Sequence, residues 1–291
     1  MAIKLGRYDV AYKGDPVAYA QEYSAGGYKA AYMPNIRIED KDEVKAVVDA
    51  IAREGRILGE AVAWKNLVAH DETIRKANLE FAVHQLALAD EMGVVACIAY
   101  HGTVGHAGDD WGLSDNYDYG PHPGNRGEEG FQRMVETARY VIDAVKPKRT
   151  KFSLEMVPWL ITGTAEDYLR LIMAVDRPMF GAHIDAANMI VSPSLYFDTA
   201  AMLRHGFALL APHVVSAHAK DILMKGGPGR ISFHFDEVVP GEGNLDYRAY
   251  LSELNSLGRD VPLMIEHYTG PEYDAARDHI RKVGAEIGVE V

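Results

Sequence analysis

The sequence predicts an α/β protein built as a single closed (β/α)8 barrel, and three observations predict it. Short apolar runs alternate with helix-period segments along the whole chain, and the alternation repeats eight times. The repeat recurs roughly every 30 residues where loops are short, the length of one strand-helix-strand unit. The first run is followed by Gly6-Arg7-Tyr8, not by the Gly-rich turn that a doubly wound open sheet would want there. Strands buried on both faces and joined by helical crossovers are parallel, and eight such units close into a barrel.

The predicted strands are, in order, Ile3–Val10, Lys29–Pro34, Ile57–Trp64, Val94–Tyr100, Lys151–Met156, Met179–Asp185, Val214–Ala219 and Pro262–His267. Between them, apolar residues recur at i, i+3, i+4 and i+7. Val44, Val47, Val48 and Ile51 form one such stripe, and Leu79, Ala82, Val83 and Leu86 another. Met134, Ala138, Val141, Ile142 and Val145 repeat the pattern, as do Tyr247, Tyr250, Leu251 and Leu254. Each stripe gives a helix one face to bury against a sheet. Asp40 with Glu43 reads as a capping box, Gly55 and Gly93 as helix stops, and Pro147 as the end of the fourth helix. No linker or low-complexity stretch divides residues 1–291, so one barrel domain is expected. Two βα loops, 101–126 and 220–244, are longer than the architecture needs and would overhang the C-terminal mouth, where barrel active sites lie.

Composition narrows the function. The chain has 291 residues, 48% hydrophobic and 25% charged, the balance of a globular protein with a large core. A formal net charge of −12 with no basic cluster argues against nucleic acid and anionic membranes as partners. No apolar run reaches ~18 residues, so no membrane span is expected. A single cysteine, Cys97, and the absence of a signal-like start fit a cytoplasmic setting.

The chemistry sits at the strand ends. The fifth to eighth predicted strands finish in Ser153-Leu154-Glu155, His183-Ile184-Asp185, Ser216-Ala217-His218 and Met264-Ile265-Glu266. Side chains alternate across a strand, so Glu155, Asp185, His218 and Glu266 share the inward parity while Leu154, Ile184, Ala217 and Ile265 face the helices. Three carboxylates meeting at a barrel mouth would repel one another and suffer desolvation unless a cation neutralised them. A divalent metal held by Glu155, Asp185, His218 and Glu266 supplies it. The oxygen-rich set suits Mn²⁺ first, or Mg²⁺, while Co²⁺, Fe²⁺ and Zn²⁺ accept the same donor types.

At these residues the chain resembles the xylose isomerase-like TIM barrels, in particular their sugar isomerase/epimerase branch. The resemblance runs over nearly the full length and is carried by Ser-Leu-Glu155, Ile-Asp185-Ala-Ala-Asn188, His218-Ala-Lys-Asp221, Pro240-Gly241-Glu-Gly243-Asn-Leu-Asp246 and Met-Ile-Glu266-His267. It implies one divalent metal on Glu155, Asp185, His218 and Glu266, with Glu155 and Glu266 doubling as the acid/base pair. Two departures matter. Asn188 stands where the ketose 3-epimerases would have a histidine, and Trp64-Lys65-Asn66 stands where the endonuclease relatives would have another metal-binding histidine.

Further residues are candidates for substrate contact. Trp64, Trp111 and Trp159 fall in or just before the loops after the third, fourth and fifth strands, where aromatic rings could stack on a sugar or pack beneath the loops. His101, directly after the fourth strand, could contact substrate or a second metal or be a plain loop histidine, and Asn188 is a further candidate for substrate contact. Lys220, two residues after His218, could meet a substrate oxygen or pair with Asp221 or Asp185. His183 suits a hydrogen bond to a ligand carboxylate from the layer below. His267, of opposite parity to Glu266, suits packing, and Glu237 could approach the metal mouth from the lid but better suits a solvated loop acid. Gly226–Arg230 reads as a flexible loop without a phosphate motif.

The expected reaction is proton transfer next to a sugar carbonyl through a metal-bound enediolate, giving isomerisation or epimerisation. A substrate with a β leaving group would make the same site a lyase, either a dehydratase or a β-eliminating deglycosidase of 3-oxo-glycosides. A non-catalytic sugar-binding or partner subunit is the third reading, which the complete four-residue set disfavours. Homo- and hetero-oligomers are both compatible with the exposed barrel faces.

Overall fold

A computed structural model describes residues 3–111, 119–227, 229 and 231–291. Its order is β1 (Ile3–Arg7), α1 (Pro16–Ala25), β2 (Ala30–Tyr32), α2 (Lys41–Arg53), β3 (Ile57–Ala63), α3 (Glu72–Met92), β4 (Ala96–Ala99), α4 (Glu128–Val145), β5 (Lys151–Leu154) and α5 (Ala165–Val175). There follow β6 (Ala182–Asp185), α6 (Pro193–Phe197), α7 (Thr199–Leu210), β7 (Val214–Ala219), β8 (Asp221–Gly226), β9 (Phe233–Val238), α8 (Tyr247–Ser256), β10 (Val261–Ile265) and α9 (Gly270–Ile287). Eight strands form one parallel sheet in the order β5-β4-β3-β2-β1-β10-β7-β6, the near-closed barrel that the alternation predicts. None of the described helices is long and apolar enough to cross a membrane.

Strand parity builds two cores. Leu154, Ile184, Ala217 and Ile265 face outward into the large core between sheet and helices. Inside the barrel, Ala30, Tyr32 and Met264 form a small separate cluster. Gly6 makes room for it, since a Cβ there would come within 2.4 Å of Met264 Sδ.

Among the described residues, the seam between β5 and β6 carries one bridge, Phe152 to Phe180. A side chain does the rest. Tyr168 of α5 pushes its hydroxyl between the strands, accepting from Leu154 N at 3.0 Å and His183 N at 3.1 Å and donating to Leu154 O at 2.7 Å. Other helix tyrosines reach strand ends in the same way: Tyr250 to His218 O at 2.9 Å and Tyr247 to Lys220 O at 2.8 Å.

Three expectations change. The 220–244 loop contains an antiparallel ribbon, β8 paired with β9 from Asp221↔Val238 to Gly226↔Phe233. Its Gly-rich tip hid the strands, and of Gly226–Arg230 only Gly226, Gly227 and Gly229 are among the described residues. The alternation of eight helices is broken by the extra short α6 after β6. Asp40 precedes α2 without a side-chain cap, so no capping box forms, and the Glu43 carboxylate accepts from Tyr12 Oη at 2.7 Å.

The ribbon is rooted by Asp221. Its buried carboxylate accepts the backbone N–H of Ile222 (2.8 Å), Gly241 (3.0 Å), Gly243 (3.2 Å) and Leu245 (2.9 Å). A Cβ on Gly243 would lie 2.2 Å from Asp221 Oδ1, which is why the Pro240–Asp246 segment needs glycine there.

Candidate active site

Four strands bring their terminal residues to one point. Glu155 and Glu266 follow β5 and β10, Asp185 ends β6, and His218 lies near the end of β7; one ligand atom from each falls within 4.8 Å of the others. His218 Nδ1 stands 2.9 Å from Glu266 Oε1, 3.5 Å from Glu155 Oε2 and 4.0 Å from Asp185 Oδ2. All four side chains are buried.

Packing three carboxylates here demands positive charge, and the chain supplies some of its own. Lys220 Nζ lies 2.5 Å from Asp185 Oδ2 and 2.7 Å from Glu266 Oε1. Burial alone would lower Lys220, but Asp185 and Glu266 hold it well above its ordinary value. Burial would likewise lower His218, and Glu266, Glu155 and Glu60 instead raise it well above the usual imidazole range. Burial pushes Glu266 up, and His218 and Lys220 more than reverse that, leaving it far below the carboxylate norm.

The donor set fits a divalent cation on an observation independent of any relative. Glu155 Oε2 and His218 Nδ1 are buried and make no aligned hydrogen bond although charged neighbours stand 2.9–3.5 Å away, and both belong to the converging group. Unpartnered buried polar atoms are rare in folded proteins, and two that face the same oxygen-rich point are suited to share an ion.

A cavity of about 420 Å³ opens above the cluster. Its polar end is Glu155, Asn188, Lys220, Glu237, Glu266 and His267, and its other wall is aromatic, with Tyr8, Trp64, Tyr100, Tyr119 and Trp159. Trp64 stacks on Tyr100 at 4.4 Å, Tyr100 meets Tyr119 at 4.6 Å, and Trp159 Nε1 donates to Tyr119 O at 2.6 Å. Polar groups facing an aromatic wall match the two faces of a sugar ring.

The other candidates divide. Asn188 lines the cavity and donates to Asp185 Oδ2 and Met156 O, each at 2.8 Å, so the amide orients a member of the cluster. His101 does not line the cavity. It is buried, its Nδ1 lies 2.8 Å from Gly102 O, and burial pushes it down to about 4. Trp111 is 55% exposed and turned toward His122, away from the described cavity wall. Residues 112–118 of the long 101–126 loop lie outside the described residues. His267 corrects its expected packing role: it adopts φ +71°, lines the cavity and meets Glu237 Oε1 at 3.0 Å. Glu237, still exposed as expected of a lid acid, reaches it from the ribbon.

Sequence reasoning missed Glu60. This fully buried residue of β3 lies beneath the cluster, its Oε2 3.1 Å from His218 Nε2. A lone acid inside the apolar run Ile57–Ala63 was the available signal. His183, in the same lower layer, has Nε2 3.1 Å from Glu155 Oε2 and Nδ1 2.8 Å from Ser216 Oγ.

Comparison with known proteins follows the geometry. A family model described as "Xylose isomerase-like TIM barrel" matches residues 17–283. A xylose isomerase-like TIM barrel protein from Mycobacterium smegmatis, solved in complex with magnesium, is similar at 17% identity and TM-score 0.65, covering 93% of this chain and 88% of that one. A 3-keto-D-glucoside 4-epimerase from E. coli is similar at 16% identity and TM-score 0.67, over 97% and 99% of the two chains. A curated 3-oxo-isoapionate decarboxylase from Pectobacterium atrosepticum is 26% identical over 102 residues, 35% of this chain. The match spans about a third (34%) of that relative's length.

Proposed function

Because this chain belongs to the xylose isomerase-like TIM barrel family, we propose that it is a divalent-metal-dependent sugar isomerase or epimerase acting next to a carbonyl. The observation that carries the reading is the convergence of Glu155, Asp185, His218 and Glu266 within 4.8 Å at the floor of a half-aromatic cavity. Held by those four residues, a divalent ion such as Mn²⁺ would polarise the sugar carbonyl as a Lewis acid.

The chain's own groups do the remaining work. Glu155 and Glu266 flank the reacting carbons, one taking the carbon-bound proton and the same or the other returning it. Return to the neighbouring carbon gives isomerisation, and return to the opposite face gives epimerisation. Lys220, already protonated beside Asp185 and Glu266, is placed to stabilise the oxyanion that forms on deprotonation. Trp64, Tyr100 and Trp159 cover the apolar face of the ring and keep water from it. The names of two relatives, one acting on a 3-keto-glucoside and one on a 3-oxo acid, support a keto sugar as substrate class.

A lyase outcome is the second reading: the same proton abstraction leads to expulsion where the substrate carries a β leaving group, and Asn188, an amide that orients Asp185, stands where the ketose 3-epimerases would have a histidine. NMR of ketoses and 3-oxo-glycosides incubated in D₂O with Mn²⁺-loaded protein, the ion being chelated before recording, tests both. Deuterium in an isomer or epimer supports the leading reading. An unsaturated product with released water or aglycone replaces it by the lyase. Turnover undiminished after exhaustive EDTA treatment overturns the metal dependence in either case.

A further inference from the structure

We propose that Glu60 is a positioning residue that fixes the ring orientation and tautomer of His218, so that the Nδ1 lone pair of that ring faces the cation site. The inference rests on the metal reading above and extends it one layer down the barrel.

Glu60 has no structural reason to be charged where it is. It sits in the middle of β3, wholly enclosed, in a strand otherwise made of Ile57, Leu58, Gly59, Ala61, Val62 and Ala63. An acid in such a place is costly unless its oxygens are used. One is spent on an imidazole: Oε2 lies 3.1 Å from His218 Nε2, while Oε1, 3.5 Å from His183 Nδ1, makes no hydrogen bond. The rings stand edge to face with centroids 4.0 Å apart, and the opposite nitrogens of both point up to the same atom, Glu155 Oε2, at 3.5 Å from His218 and 3.1 Å from His183. The carboxylate therefore holds His218 from below, with His183 packed beside that ring and held by Ser216, and the upper side of both rings meets the cluster.

The chemistry of the contact sets the tautomer. An ionised carboxylate only accepts, so the 3.1 Å contact is a hydrogen bond only when His218 Nε2 carries the hydrogen. Once a bound cation displaces the second ring proton, the neutral ring has its lone pair on Nδ1, the atom 2.9 Å from Glu266 Oε1. The Tyr32 hydroxyl, 3.4 Å from His218 Nε2, shares this lower side and is too distant to replace the carboxylate.

The test uses the full-length chain and two readouts other than activity. Calorimetric titration with Mn²⁺ compares wild type, Glu60→Leu and Glu60→Gln. Loss of an outer partner of a metal-binding histidine weakens affinity about 10- to 100-fold, which is expected for Glu60→Leu. Glu60→Gln, whose carbonyl oxygen still accepts, should lose less. Long-range ¹H–¹⁵N spectra of the Mg²⁺-loaded wild type should show His218 as the Nε2–H tautomer. A folded Glu60→Leu that binds Mn²⁺ with the wild-type Kd, or an Nδ1–H tautomer in the loaded wild type, overturns the proposal. Should Glu60→Leu fail to fold, Glu60→Gln and the wild-type spectrum decide. A wild type that binds no divalent ion defeats the metal reading and this proposal together, whereas wild-type binding with unchanged variants defeats this proposal alone.

Discussion

Tyr168→Phe removes a single oxygen from the seam between β5 and β6, and its cost follows from the contacts. The hydroxyl accepts from Leu154 N and His183 N and donates to Leu154 O, all of them buried. Phenylalanine keeps the ring and leaves those two N–H groups with no acceptor. At about 1–3 kcal/mol for each buried group left unsatisfied, the loss is about 3 kcal/mol, since the strands can close slightly on the vacated space. With an unfolding entropy of about 2.1 cal/mol/K per residue over the chain, this lowers Tm by roughly 5 °C. Differential scanning calorimetry measures it, with Tyr140→Phe on the exposed face of α4 as the control for loss of a phenolic oxygen. Hydrogen exchange should quicken at Leu154 and His183 first. A Tm within about 1 °C of wild type and unchanged exchange at both amides would refute the claim that this hydroxyl replaces the missing ladder.

Other predictions bear on the cluster and on stability. Glu266→Gln should fold normally yet turn over at least ~100-fold more slowly, the scale of general acid–base catalysis; wild-type turnover would remove Glu266 from the acid/base pair. Lys220→Met deletes the cation between Asp185 and Glu266, so metal-free protein should lose about 3–5 kcal/mol by urea titration and regain much of it with Mn²⁺. An unaltered metal-free midpoint would mean that Lys220 does not neutralise the cluster. Burial raises Asp90, but the backbone N–H groups of Thr150, Arg149 and Lys148 outweigh it and lower its pKa. Its stabilisation is therefore complete above about pH 3.9, the unfolded value, and is lost as pH falls through the lower folded one. The urea-midpoint gap between wild type and Asp90→Asn should be widest near neutrality and close in acid; a gap constant across that range contradicts the linkage.

The part of the site legible in the sequence is the part governed by strand parity. Glu155, Asp185, His218 and Glu266 each end a short apolar strand, and in a closed barrel alternate residues can only point in or out, so direction followed from position. Glu60 obeys the same rule but stands alone in mid-strand, and its partner His218 lies 158 residues away, across the barrel. Nothing local marks that distance as a contact. Loop residues escape parity altogether. His101 turned into the protein and Trp111 away from the cavity because loop backbones, unlike strands, do not commit a side chain to a face. His267 defied the parity argument for a related reason: φ +71° takes it out of the strand geometry one residue after Glu266. The ribbon was hidden by its turn, whose glycines dominate a segment in which β9 alternates Phe233, Phe235 and polar residues plainly enough.

The way Asp221 anchors that ribbon bears on how the protein can diverge. Glu237 pairs with Ile222, one rung above the root rung of Asp221 with Val238, so its place over the mouth is set by the anchor and not by the tip. Four rungs further out, between Gly226 and Phe233, the chain can lengthen, shorten or change its lettering without moving Glu237 or the strand that carries His218. The tip would then drift on its own evolutionary clock, while the residues that handle protons stay under separate selection.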